Sequence, residues 1–188
     1  MSSYSEGQVH QLVEALERAE WTPNDLRLLG QFGEEGLAKI RAVIRGWAEV
    51  VIKKHLIDLD ADPFCPDGWK VAEHRKGGQF EWSPTKVKLY LSPNQQNGQT
   101  INGDKLRQEL TKEAVMNANV LDYLLANQCL IPEEWKGQAT FFWGTIYRGA
   151  DGSLCVRCLS WSGGQWRWRY NWLAYHWGGG SPSLLLAS

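Results

Sequence analysis

The sequence predicts an α+β protein, with helices over residues 1–62 and a mixed α/β region over 63–188 that ends in a Trp-rich segment. Three observations predict it. Apolar residues in the first sixty positions recur at helical spacing. The stretches 86–91 and 140–147 have the alternation, or the β-branched and aromatic content, of strands. Two further helical patterns, starting near Asp104 and Asn117, lie between those strands. A chain of 188 residues with 43% apolar content can bury a sizeable core.

Each element has a local cause. Ser5 and Glu6 can open a helix whose apolar positions are Val9, Leu12, Val13 and Leu16. Thr22-Pro23-Asn24-Asp25 starts a second, with Thr22 as N-cap and Pro23 in the first turn, and Gly30 can stop it. A longer helix is expected from Glu34 to about His55, striped by Leu37, Ile40, Val43, Ile44, Trp47 and Val51 and interrupted by Gly46. Such helices, carrying no motif, are expected to form a small bundle or a platform for a partner, with packing onto the rest of the chain as the simplest reading. Pro63 and Pro66 mark a turn beyond them.

Strands are expected at 69–74, with Trp69, Val71 and Glu73 on one face, and at 86–91, with Val87, Leu89 and Leu91 inward. His74 reads as a surface strand residue. A polar loop from Asn94 to Gly103 precedes a helix through Leu106 and Leu110. A second helix from Asn117 buries Val120, Leu121, Leu124 and Leu125, and Pro132 opens a short turn. The aromatic strand 140–147 returns through an Asp151-Gly152 turn into 154–159, and Leu184 to Leu186 form a final apolar run.

Composition and motifs narrow the function. A net charge of −1 lacks the basic footprint of a nucleic-acid binder. No apolar run reaches the roughly eighteen residues of a membrane span. The start M-S-S-Y-S-E-G-Q has no basic and apolar leader, so a cytoplasmic site is expected. Cys65, Cys129, Cys155 and Cys158 are expected to be reduced thiols, since the C-V-R-C pair would point to opposite faces of a strand and no second C-x-x-C exists. Asp58, Asp60 and Asp62 begin like a calcium loop, but Pro63 and Trp69 stand where it needs Gly and Glu. Gly77-Gly78 lacks a phosphate-loop context, and no histidine or serine stands in a catalytic spacing. The expectation is therefore no enzyme, no cofactor and no metal. Nothing in the pattern sets an oligomeric state.

The Trp-rich segment is the most informative stretch. Trp161, Trp166, Trp168, Trp172 and Trp177 are five of the chain's eleven tryptophans. From Leu159 onward there is no Lys, Glu, Asp or Met. An Asn codon randomised at its two adenines yields Ser, Gly, Arg, Tyr, Asn, Ala and His among others, but never Lys, Glu, Gln, Met or Trp. A Trp codon has no adenine to change. Apart from Gln165, the residues between the rings all fall within that reachable set.

In this the segment resembles the variable proteins of diversity-generating retroelements, whose diversified residues sit on a C-type-lectin-like fold and bind ligands. The order of strands, two helices and strands over 64–188 is similar to that fold, although the calcium–sugar motifs E-P-N and W-N-D are not present. The segments G-W-K-V-A-E-H, L-I-P-E-E-W-K-G and F-F-W-G-T-I-Y-R also look like those of uncharacterised bacterial proteins with this C-terminus. The resemblance implies a ligand surface made of Ser162, Gly163, Gly164, Arg167, Arg169, Tyr170, Asn171, Ala174, Tyr175, His176, Gly178, Gly179, Gly180 and Ser181. Its ligand would be a protein or surface partner. These residues are expected to form one contiguous exposed patch over the Trp rings. Trp166 and Trp168, of one strand parity, are expected to be buried. Two other readings of the segment stand beside it: a carbohydrate-binding or carbohydrate-processing protein that stacks rings on sugars, and a structural protein whose rings are only core.

Overall fold

The computed structural model describes residues 4–51 and 53–187, and the chain divides into two compact units, 1–53 and 54–188. The first unit holds helices α1 (Glu6–Arg18), α2 (Pro23–Gly30) and α3 (Glu34–Ile44). Ser5 with Gln8, and Thr22 with Asp25, form capping boxes in which each side chain serves the other's backbone N–H. α3 stops well short of His55. Gly46 takes φ +70°, Trp47 N–H reaches back to Ala42 and Gly46 N–H to Val43, and this left-handed cap closes the helix. Ile52, in the stretch expected to continue it, lies outside the described residues. None of the three helices buries a residue. Among the described residues no helix is long and apolar enough to cross a membrane.

The second unit is built on a large mixed sheet. Its strands in chain order are β1 (Leu56–Asp58), β2 (Lys70–His74), β3 (Gln79–Glu81), β4 (Val87–Tyr90), β5 (Ile101–Asn102), β6 (Ala139–Phe141), β7 (Thr145–Arg148), β8 (Leu154–Ser162), β9 (Gln165–Trp172), β10 (His176–Trp177) and β11 (Ser183–Leu186). Helices α4 (Gly103–Glu109) and α5 (Ala118–Ala126) lie between β5 and β6. β8 is the axis of the sheet. Its first half pairs β7 and its second half pairs β6 along one side, and β9 runs along the other. Outward from these lie β2 on β7, then β11, parallel to β6, and β4 on β11. β1 with β3, and β5 with β10, form two small antiparallel pairs.

The stretch expected as a single strand over 140–147 is broken at Phe142–Gly144. Gly144 lies against the backbone of Asn117, where a Cβ would come within 2.9 Å, and its N–H goes to Met116 rather than to a strand. Alternation then sorts the apolar side chains into two cores. On one face Phe142, Leu159, Trp166 and Leu184 meet Val120, Leu121 and Leu124 of α5. On the other, Phe141, Val156, Cys158 and Leu185 meet Leu106 of α4, with Leu110, Leu173 and Trp177. Cys155 and Cys158 fall in different clusters, as their spacing requires.

β2 falls within the expected strand 69–74. It carries a bulge between Val71 and Glu73, and every residue except His74 is exposed. His74, expected as a surface strand residue, is half-buried. Its Nδ1 lies 2.9 Å from Thr145 Oγ1 and its Nε2 3.0 Å from the Leu59 carbonyl, so the ring ties β2 to β7 and to the segment after β1.

Candidate ligand-binding surface

β8 and β9 are joined by Gly163-Gly164, at φ +62° and +78°. Positive φ at both central residues is what a two-residue hairpin turn of matching twist needs, and it is the reason glycine stands there. The register is unbroken from Ser162↔Gln165 to Cys155↔Trp172. One face of the hairpin therefore carries Trp166 beside Trp161, Trp168 beside Leu159, Tyr170 beside Arg157 and Trp172 beside Cys155. The other carries Gln165, Arg167, Arg169 and Asn171 beside Ser162, Ser160, Cys158 and Val156.

On the ring face, Trp166 is 5% exposed and forms part of the core against α5. Trp168 is only half-buried, and its ring meets Phe64 and Trp69 edge-on. From there a partly exposed run of rings continues: Trp69 to Tyr170 at 4.8 Å, Tyr170 to Trp172 at 4.9 Å and Trp172 to Tyr175 at 5.2 Å. The first two contacts are near perpendicular, the arrangement that ring quadrupoles favour.

Beneath the ring face sits Arg157, 1% exposed. Its guanidinium lies 4.8 Å from the Trp168 ring centroid and 5.0 Å from that of Phe64. Two of its nitrogens meet Asp122, at 2.6 and 3.1 Å, in a bidentate pair. Burial works against its charge, but the Asp122 carboxylate and the Tyr147 hydroxyl outweigh it and raise its pKa. Tyr147 is pushed up to about 12 by burial, against the pull of Arg157.

The chain after β9 is held in place by main-chain atoms. Tyr175 N–H bonds to Trp172 O, and Gly103 N–H bonds to Tyr175 O at 3.0 Å. The Asn102 amide donates to Ala174 O. The Gln95 amide, fully buried, donates to both Gly178 O and Ser181 O. Ala139 N–H bonds to Gly180 O, and Ser181 N–H to Gly178 O. Leu173 and Trp177, 1% and 0% exposed, anchor this segment in the core. Among the described residues, of the surface side chains from Ala174 to Ser181 only that of His176 makes a long-range hydrogen bond, to Thr100 Oγ1 at 3.4 Å.

All fourteen positions expected to face a ligand are exposed or half-buried. Gly163, Gly164, Arg167, Arg169, Tyr170, Ala174, Tyr175, His176, Gly179 and Gly180 are exposed; Ser162, Asn171, Gly178 and Ser181 are half-buried. They do not form a single patch over the rings. Arg167, Arg169 and Asn171 share one face of β9, and Tyr170 lies on the opposite, aromatic one. The strand's own period of two divides them. His176 lies beside a polar hollow of about 620 Å³ lined by Asn94, Thr100, Asn102, Lys105 and Glu109.

Sequence reasoning missed four contributors. Trp69 and Phe64 come from before β2 and complete the run of rings. Asn102 and Gln95 clamp the loop from a stretch whose polarity marked it only as surface. Two of the three aspartates of the calcium-like start have other work. Asp58 accepts from Asp60 N–H, and Asp60 accepts from Gly77 and Gly78 N–H at 2.9 Å, bonds that lower its pKa. Among the described residues, no three His, Cys, Asp or Glu side chains are grouped to hold a metal. No family model, curated protein or solved structure matches this chain.

Proposed function

We propose that the chain is a ligand-binding protein whose C-terminal segment is the diversified product of a retroelement, carried on a C-type-lectin-like unit. One observation carries this reading. From 174 to 181 the backbone is fixed by bonds to its own carbonyl and amide groups, while Leu173 and Trp177 anchor it in the core. Nearly any side chain can therefore stand at the surface positions without loss of the fold. A scaffold for diversified residues needs this property, and an ordinary active site, which fixes its side chains through a supporting shell, does not. The remaining surface composition, Arg, Tyr, Asn, Ser and Gly, is that of adaptable recognition loops.

The encoding DNA tests it. The expected finding is a near-copy of the segment beside a reverse transcriptase gene, differing from it at adenines. Absence of such a copy, or differences spread evenly over the four bases, sinks the reading. A second reading is favoured by the partly exposed rings of Trp69, Tyr170, Trp172 and Tyr175: stacking on sugars. Neighbouring rings stand steeply to one another, so a sugar would meet one ring at a time. Quenching of Trp fluorescence by soluble glycans, abolished in Trp172→Ala, would support it.

A further inference from the structure

The outer side of β9 is unpaired along its whole length: among the described residues, β9 bonds only to β8. A two-residue turn makes Ser162 and Gln165 a hydrogen-bonded pair. Alternation then turns the N–H and C=O groups of Arg167 and Arg169 toward β8, and those of Trp166, Trp168 and Tyr170 outward. The far end agrees with this phase. Trp172 N–H, which should also point outward, is taken by its neighbour's Asn171 Oδ1 at 3.1 Å. The open stretch therefore runs from Trp166 to Tyr170.

No bulge interrupts this edge, and no proline stands in it. Its two faces differ sharply. Arg167 and Arg169 are exposed on one, and no carboxylate among the described residues pairs with either. Trp168 and Tyr170 offer rings on the other. A second copy of the chain is a poor occupant. In the two registers that overlap β9 most fully, antiparallel self-pairing sets Arg167 against Arg169, or Arg169 against itself, and like charges directly opposite are destabilising.

We propose that the open edge of β9 takes up an extended acidic segment of a partner protein as an added antiparallel strand. Asp or Glu at alternate positions of that segment lies opposite Arg167 and Arg169. The apolar residues between them lie opposite Trp166, Trp168 and Tyr170. Main-chain bonds supply much of the affinity, and the side-chain alternation sets the register. The proposal rests on the reading of this hairpin as a ligand surface and states how that surface binds.

The phase of the edge makes a specific test. Residues of the added strand opposite Trp166, Trp168 and Tyr170 turn their N–H groups to β9, and those opposite the arginines turn theirs away. The probe is an acetylated, amidated heptapeptide alternating Val and Glu, titrated against the full chain at low ionic strength with Trp fluorescence as the readout. Saturable binding is expected. Methylating the Val nitrogens should weaken it by about tenfold or more, since up to three hydrogen bonds are lost. Methylating the Glu nitrogens, which changes the peptide as much chemically, should leave it within about threefold. A Val–Lys peptide should bind about tenfold more weakly than the Val–Glu peptide, and the double variant Arg167→Glu, Arg169→Glu should reverse that order.

Absence of saturable binding overturns the proposal, as does equal loss from the two methylation patterns. The peptide arms need no variant, so a folding defect in the double variant cannot decide the outcome. Failure here is separable from failure of the parent reading. A template repeat in the DNA without peptide binding leaves a diversified surface and removes strand addition. Peptide binding without a repeat does the reverse.

Discussion

Arg157 brings a full charge into the core, and Asp122 makes that tolerable. The two form a bidentate pair with the guanidinium 1% exposed. Removing one partner of such a pair strands the other, which costs about 3–5 kcal/mol, whereas replacing both with apolar groups is often neutral. Asp122→Asn is therefore expected to lower stability by about 3 kcal/mol in urea unfolding, and Arg157→Met with Asp122→Leu by much less. The buried thiols give a pH dependence. Burial pushes Cys155 and Cys158 from 9.0 up to about 12, and Tyr147 from 10.0 to about 12. Above about pH 9 the unfolded chain releases these protons while the folded chain keeps them. Their contribution is thus complete below about pH 9 and is lost as pH rises toward about 12. The urea midpoint should fall between pH 8 and pH 10.5, roughly the span in which the unfolded groups titrate. At about pH 8, where a free thiol reaches its reactive thiolate form, a disulfide reagent should modify exposed Cys129 quickly and buried Cys155 and Cys158 only on unfolding.

At the scale of the element, the β8–β9 hairpin separates framework from surface residue by residue. Trp166→Ala is expected to cost about 3–5 kcal/mol, as for any large buried aromatic, and Trp168→Ala less, since its ring is only half-buried. Arg167, Arg169, Tyr175 and His176 changed together to Ser should move stability by no more than about 1 kcal/mol. Loss of the cooperative transition in that quadruple variant would place them in the core instead. The joint between β5, α4 and β10 is far less forgiving. A Cβ at Gly103 would come within 2.5 Å of Leu173 O and of Trp177 Nε1, both held in the core. Gly103→Ala is therefore expected to destabilise by about 1–3 kcal/mol, the usual cost of overpacking, and to loosen the Ala174–Ser181 loop, read as faster amide exchange there.

For the whole molecule, burial among the described residues is confined to one unit. No residue of 4–51 is buried, and the buried apolar residues run from Ile57 to Leu185. The helices of the first unit stand on their caps and on short-range contacts, and helices of this length are marginal in water. Residues 54–188 expressed alone are thus expected to unfold in one cooperative transition, while 1–53 alone should show weak, gradually melting helicity by circular dichroism. A cooperative transition in the short piece would show a core that its surface exposure does not suggest.

What the sequence determined by itself was local. Helix starts were legible at Ser5, Thr22 and Asn117 because a cap is a contact between residues two or three apart. The β7–β8 turn at Asp151-Gly152 was legible for the same reason, with Gly152 at φ +82°. The parity of Trp166 and Arg167 followed from the strand period alone. Tertiary structure decided what depends on residues far apart. The break at Gly144 exists because Asn117 passes beside it, and nothing near Gly144 in sequence announces that. Gln95 reads as loop surface and is buried because two carbonyls, more than eighty residues away, need its amide. The ring run needs Trp69, 101 residues before Tyr170. Of the fourteen surface positions, ten are exposed as expected, and Ser162, Asn171, Gly178 and Ser181 are half-buried. Their division over two faces came from a strand pairing: once β9 lies along β8, period two sends Arg169 and Tyr170 to opposite sides.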